Sequence, residues 1–366
     1  MAYRAPPSFS PAASARLDGL KLVLIAQVIL GHVANLAYPT VAQIKTHDLP
    51  DLFVLAWRMV TRFGIQSAVV FICISGFFLA PRLLDIALGR EGAQPIGAFL
   101  KARLRRIYPT LVFAVALTVV CDLVGQHLPG GDVIYHRGVN YDYVERLNWH
   151  TVLGNLLSLQ PTFSELVGSN GPLWTLGYIV QFYVAGAALA GAFRADRRLG
   201  FAVLAGLFIA ALMIKLEWGI LFACWLGCGM MRWFQARTAM AGLVALAVGA
   251  ALMVLANLAA GRDLLLVWEV SAGLAGAAFL FAMPAPFGSW MPDRLPAVLV
   301  KVSNASYPIY ALHHPLLVLT FTALVPHFAP GSLLFRAGLP VVVLVVVLAV
   351  SFAWQAVLDR LVPAKK

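Results

Sequence analysis

The sequence predicts an all-α, polytopic membrane protein with about ten transmembrane helices and with both termini in the cytoplasm. Of its 366 residues, 61% are hydrophobic and only 12% are charged, and the mean hydropathy is +0.84. A soluble domain is typically about 45–50% apolar and about 25% charged. Long apolar segments that alternate with short basic loops are the second sign of such a fold.

Ten segments approach the roughly 20 apolar residues that a helix needs to cross a bilayer. They are residues 20–38, 63–82, 108–125, 172–193, 199–215, 218–234, 239–259, 264–284, 303–325 and 336–358. Residues 1–15 are polar and rich in Pro, Ser and Ala, so we expect a cytoplasmic tail there, and residues 359–366 form a second tail. The membrane domain is therefore expected to span residues 16–358.

The basic residues set the orientation. The two tails and the loops on one side of the predicted helices carry 19 of the 27 Lys and Arg residues. The positive-inside rule places that side in the cytoplasm. The same placement explains the net charge of +11, so no nucleic-acid partner is needed to account for it.

Two outer segments are long. Residues 39–62 contain an apolar run, 52–60, interrupted by Arg58, which predicts an interfacial or re-entrant helix. Residues 126–171 are polar and contain three Tyr residues and Trp149. Long structured loops often act as lids or binding loops, and a simple cap over helix ends is the alternative. All four cysteines fall in apolar stretches, and no His or carboxylate beside Cys224 and Cys228 completes a metal set, so we expect no metal site.

The first predicted span contains two ionisable residues, Lys21 and His32. Such groups are costly inside a bilayer and are therefore candidates for function. Eleven positions separate them, which is close to three helical turns, so both side chains point the same way, roughly 16 Å apart along the axis. The Lys21 cation at the membrane edge would hold one end of a long ligand, and the His32 imidazole, deeper in the membrane, would lie near its other end. A snorkelling Lys and a hydrogen-bonded structural His are the alternative.

Four further patterns follow along the chain. They are residues 71–77 (FICISGF), 103–109 (RLRRIYP), 172–176 (PLWTL) followed by Phe182 and Tyr183, and 306–315 (SYPIYALHHP). Together with the Lys21–His32 spacing, they resemble the acyltransferase-3 family of integral membrane acyltransferases, over roughly residues 16–358. The resemblance implies about ten helices, a bacterial cytoplasmic (inner) membrane location and transfer of an acyl group from cytoplasmic acyl-CoA to an extracytoplasmic acceptor, often a glycan hydroxyl.

The resemblance also implies site residues. His32 is the expected general base, or the nucleophile that forms an acyl-imidazole. His313 is expected to orient His32 or to protonate the leaving thiolate, and its alternative role is a polar helix–helix contact. His314, about 100° away on the same helix, is expected to do other work.

Arg103 and Arg106 share a helix face at the cytoplasmic end, where their guanidinium groups suit the phosphates of CoA. Positive-inside topology alone is their alternative explanation. Lys21 would hold one end of the donor. Ser75, beside Gly76, would line a pantetheine tunnel or allow close helix packing, and packing is the stronger expectation.

Two positions depart from the family pattern. Lys21 stands where the family usually has Arg, and Ile179 stands where it usually has Glu, five residues after Trp174. The expected acidic partner is therefore missing. Glu269 in the eighth predicted span is the candidate replacement, and an interfacial Glu facing water is the alternative.

We therefore expect a membrane O-acyltransferase whose donor is acetyl-CoA or another acyl-CoA such as succinyl-CoA, with no metal. The acceptor classes left open are an exopolysaccharide, a lipopolysaccharide O-antigen, a periplasmic glucan and a small macrolide. No fused extracytoplasmic esterase domain is expected, so a separate periplasmic partner that takes the acyl group is the alternative to direct transfer. A glycan or lipid transporter and an inactive relative are the competing functions, although no internal repeat supports a transporter.

Overall fold

The computed structural model describes residues 9–44, 48–262, 264–288, 291, 293–329 and 332–361. The chain is 77% helical, and no described residue lies in a strand. Within this described part, eight helices are long and apolar enough to cross a membrane. The prediction of an all-α, multi-pass membrane protein is therefore confirmed.

Fourteen α-helices make up the described chain. They are α1 (Pro11–Ala37), α2 (Leu49–Val60), α3 (Gly64–Ala87), α4 (Ile96–Gly125), α5 (Gly131–Arg137), α6 (Trp149–Leu156), α7 (Leu173–Ala195), α8 (Arg197–Ile214), α9 (Leu216–Met230), α10 (Ala239–Ala260), α11 (Leu265–Ala282), α12 (Ala297–Asn304), α13 (Ser306–Leu324) and α14 (Leu333–Leu361).

Each of the ten predicted spans coincides with a helix, but two of these helices are short. The chain predicted to span 218–234 forms α9, which has only 15 residues, and the apolar part of α11 covers residues 266–282. Residues 231–233 leave the helix as a turn, although Met231 and Trp233 are apolar. Hydropathy cannot detect such a turn, and the sequence therefore overestimated the length of α9.

Helices α1 and α4 begin well before their predicted starts. Helix α1 starts at Pro11, inside the expected tail, because Ser10 Oγ accepts a hydrogen bond from the Ala13 N–H and Pro suits the first helical turn. Helix α4 starts at Ile96 rather than near 108, so Arg103 and Arg106 lie within it. The 39–62 segment contains helix α2, which Asp48 caps at the Asp51 N–H. A helix in that segment is thus confirmed, and its depth in the membrane stays a prediction.

The chain forms two compact units. Unit 1 comprises Met1–Leu24, Ile65–Arg103 and Ile179–Ser303, and unit 2 comprises Ile25–Gly64, Leu104–Tyr178 and Asn304–Lys366. Within unit 1, the close contact of α3 with α9 depends on Gly76, because a Cβ there would overlap the Trp225 carbonyl oxygen. This agrees with the packing role expected from the FICISGF segment.

Unit 2 is held together by aromatic and polar contacts between its helices. Phe113 and Trp354 stack at 4.0 Å between ring centroids, and the Trp354 indole N–H donates to Thr110 Oγ1 at 3.1 Å. A largely buried ion pair joins Asp51 of α2 to Arg336 of α14 at 3.0 Å. The long 126–171 segment contributes Tyr135 and Tyr143, which are buried in one cluster with Val318 of α13.

Candidate active site

Three imidazole rings meet inside unit 2. His32 of α1 lies 5.3 Å from His313 and 4.7 Å from His314 between ring centroids, and both of these residues belong to α13. His313 is fully buried, His314 is 5% exposed and His32 is half-buried. The structure thus brings together the two predicted catalytic histidines, and it adds a third that the sequence had assigned to other work.

One hydrogen bond fixes the tautomer of His313. Its Nδ1 lies 2.7 Å from the carbonyl oxygen of Tyr310. A carbonyl oxygen can only accept, so Nδ1 carries the hydrogen and Nε2 of the neutral ring keeps its lone pair. That Nε2 is buried and has no hydrogen-bond partner among the described residues. His313 therefore presents a free proton acceptor inside an apolar region.

Polar groups around α13 support this arrangement. The Tyr310 hydroxyl accepts a hydrogen bond at 3.0 Å from Oγ1 of Thr175, which lies within PLWTL. Asn170, just before that segment, donates from Nδ2 to the Ala311 carbonyl oxygen at 3.0 Å. The turn of α13 that carries the histidines is thus tied by side chains to the start of α7 and to the loop before it.

The long 126–171 segment also reaches the imidazole cluster. The Tyr143 ring lies 6.4 Å from the His314 ring in an edge-to-face contact. Arg146 stacks over Tyr141 at 3.6 Å, and Tyr141 Oη is buried. The segment therefore lies against the site, which is consistent with both the binding-loop and the cap alternatives.

A polar cleft of about 140 Å³ lies at the α4 arginines. Its lining residues in unit 2 are Arg105, Arg106, Asn304, Tyr307, Pro308, Gln355, Leu358 and Asp359. Arg106 was expected in a binding site, whereas Arg105 was not. The cleft lining thus includes Arg106 and its direct neighbour Arg105, and ligand binding by Arg103 together with Arg106 stays a prediction.

The remaining predicted site residues belong to unit 1, where each has its own surroundings. Lys21 Nζ pairs with Asp18 at 3.0 Å, and Asp18 also accepts from Ser303 Oγ at 2.8 Å. Ser75 Oγ accepts from the Trp225 indole N–H at 3.2 Å and shares a 3.1 Å hydrogen bond with the Tyr183 hydroxyl. Ligand binding by Lys21 and Ser75 stays a prediction.

Glu269 of α11 is fully buried in unit 1. Neither of its carboxylate oxygens has a hydrogen-bond partner in the described part of the chain. A buried, unpaired carboxyl group is costly, and it is therefore a strong candidate for a functional group. His32 and His313 lie in unit 2, so the catalytic partnership proposed for Glu269 stays a prediction.

Comparison with known proteins decides the family. The model of the acyltransferase-3 family, described as an acyltransferase domain, matches residues 14–355. The chain belongs to the acyltransferase-3 family. No curated protein and no solved structure matches it. The acyltransferase-3 match covers both units and includes every predicted site residue, and it supports a membrane acyltransferase.

The sequence did not indicate two features of the imidazole cluster in this acyltransferase-3 protein. His314 was set aside because adjacent helical residues point about 100° apart. Asn170 was not singled out, although Pro315 signals that a carbonyl four residues earlier needs another donor. A search for donors to that carbonyl would have required tertiary structure.

Proposed function

We propose that this protein transfers an acyl group, with acetyl as the first expectation, from acyl-CoA to a hydroxyl of an extracytoplasmic glycan in the bacterial inner membrane. The observation that carries the proposal is the cluster of His32, His313 and His314 with a free Nε2 on His313. Family membership supplies the reaction class.

In the proposed reaction, His32 takes the proton of the acceptor hydroxyl while that oxygen attacks the thioester carbonyl carbon. The C–S bond then breaks, and the protonated His32 returns the proton to the thiolate of CoA. The products are the ester and free CoA–SH. General acid–base catalysis by His is effective near neutral pH.

Of the two roles expected for His313, orienting His32 or protonating the leaving thiolate, its hydrogen bonding supports the first. Because its Nδ1–H is committed to the Tyr310 carbonyl, its Nε2 can accept a hydrogen bond from His32 and stabilise the protonated ring. A covalent acyl-His32 intermediate is the alternative route and uses the same residues.

Donor binding is assigned to the basic residues at the cytoplasmic end. Arg105 and Arg106 lie in one cleft, and guanidinium groups bind phosphate with charge-assisted hydrogen bonds. Arg103 and Lys21 are the additional donor-binding residues expected from the family pattern. Succinyl-CoA is the alternative donor, and a separate periplasmic protein that takes the acyl group is the alternative first acceptor.

The experiment uses purified full-length protein in proteoliposomes with radiolabelled acetyl-CoA, and succinyl-CoA in a parallel reaction. Cell-surface glycan from the native host serves as acceptor, and both CoA thiol release and label in the glycan are measured. We expect label transfer that depends on His32. No thiol release and no transfer with either donor would contradict the proposal and favour the inactive-relative alternative.

A further inference from the structure

Pro315 interrupts helix α13 close to the histidines. In an α-helix, each N–H bonds to the carbonyl four residues earlier. Proline has no N–H, and its ring crowds that carbonyl. The carbonyl in question belongs to Ala311, which is fully buried and lies two residues before His313.

The Asn170 side chain supplies the missing donor. Its Nδ2 donates to the Ala311 carbonyl oxygen at 3.0 Å and to Thr118 Oγ1 at 2.9 Å. Thr118 Oγ1 donates onward to the Ala114 carbonyl at 2.7 Å, so it is free to accept. Both amide hydrogens of Asn170 are thereby used, and a buried carbonyl that would otherwise lack a partner is satisfied.

The residue before Asn170 is itself anchored. The backbone N–H and the hydroxyl of Ser169 donate to the two carboxylate oxygens of Asp122, each at 2.6 Å. Gly168 has a φ of +46°, and a side chain there would collide with Asp122. The loop therefore presents Asn170 to α13 from a fixed position.

We propose that Asn170 is a positioning residue for the imidazole cluster. It replaces the backbone hydrogen bond that Pro315 removes, and so it fixes the turn from Tyr310 to His314 that sets the direction of both α13 rings. The effect of Asn170 on turnover rests on the proposed function. Its effect on the His313 ring does not depend on turnover.

The test is a double-mutant cycle with Asn170→Ala and Pro315→Ala. Misplacement of a catalytic group by about 1 Å can cost 10²-fold, so we expect Asn170→Ala to lower kcat by about 10- to 100-fold with little change in KM. Ala at position 315 restores an N–H for the Ala311 carbonyl. In that background the Asn170→Ala penalty should shrink to a few-fold at most.

Two further variants separate positioning from general damage. Asn170→Leu keeps a similar shape but has no hydrogen-bond donor, so it should resemble Asn170→Ala. Asn148→Ala removes the side-chain cap that accepts from the Thr151 N–H in the same segment, and kcat should be unchanged. An equal Asn170→Ala penalty in both Pro315 backgrounds, or an Asn170→Leu variant with normal kcat, would overturn the proposal.

An activity-independent measurement covers the case in which no turnover is found. With selective ¹⁵N-histidine labelling, the His313 nitrogen shifts report its tautomer. We expect a fixed Nδ1–H form in the wild type and a mixture in Asn170→Ala. An unchanged His313 signal in that variant would refute positioning, whereas a changed signal without wild-type turnover would refute only the proposed function.

Discussion

The His314 ring meets the His32 ring edge to face at 4.7 Å, closer than the His313 ring at 5.3 Å. The His32 ring therefore contacts two adjacent side chains of α13, although these point in directions about 100° apart. Either imidazole of α13 can accept a hydrogen bond from a protonated His32.

Replacing His314 with Gln should lower kcat by about tenfold, because a contact that orients the base is lost while the base remains. The effect should be smaller than that of His32→Ala. Steady-state rates of CoA thiol release provide the measurement. A His314→Gln protein with wild-type kcat would restrict the site to His32 and His313.

The sequence predicted the His32–His313 pair but not the third ring, and the reason is geometric. Helical periodicity gives directions about 100° apart for residues 313 and 314, but it does not say where a partner from another helix will lie. A partner placed between the two directions contacts both. The same limit applies to Arg105, since spacing along α4 favoured Arg103 with Arg106, whereas the cleft forms with α12, α13 and α14.

Apolar segments were the most predictable feature, because bilayer thickness imposes a long run of apolar residues. The ends of the helices were less predictable, because the start of α1 depends on the Ser10 cap and the end of α9 on the turn after Met230. Contacts such as Asn170 with Ala311 join residues 141 positions apart, and no local pattern encodes them.

Substituting Arg105 and Arg106 with Ala should raise the KM for acyl-CoA by tenfold or more and leave kcat within about twofold, because uniform binding is lost. Asp359→Asn should lower that KM, since it removes a negative charge from the same cleft. Lys101→Ala, an exposed basic residue on α4 outside the cleft lining, is the matched control. An unchanged KM with a reduced kcat in the double variant would rule out phosphate binding there. Adding Arg103→Ala to Arg106→Ala tests the original pair in the same assay.

Glu269→Gln should cut activity substantially if catalysis uses an acidic partner, whereas Ile179→Glu should not improve it. The reason is that Glu269 is a buried carboxyl group with both oxygens unsatisfied within the described residues. The initial rates of acyl transfer by both variants test whether Glu269 takes part in catalysis. A neutral Glu269→Gln together with a faster Ile179→Glu would identify Ile179 as the mark of a weakened enzyme.

The stability of the 126–171 segment should depend on pH. The hydrogen bond of His136 with Asp142, 2.9 Å long, raises the pKa of His136 above its usual 6.5. A raised folded-state pKa stabilises the fold below about pH 6.5, and this contribution is lost as the pH rises through the raised value. Wild type should therefore melt higher than His136→Gln in mildly acidic buffer and equal it in alkaline buffer. A melting difference that is constant with pH, or that grows toward alkaline pH, would disprove this assignment.

The His32→Ala variant tests most directly the proposal that the imidazole cluster of unit 2 performs acyl transfer. Transfer by the purified variant should fall by about 10²- to 10⁴-fold, with a melting temperature close to wild type. His327→Ala, which changes a histidine in the short turn after α13, should keep full activity as the control. A His32→Ala protein that retains more than about a tenth of wild-type transfer would show that His32 is not the general base, because general-base catalysis contributes at least about 10²-fold.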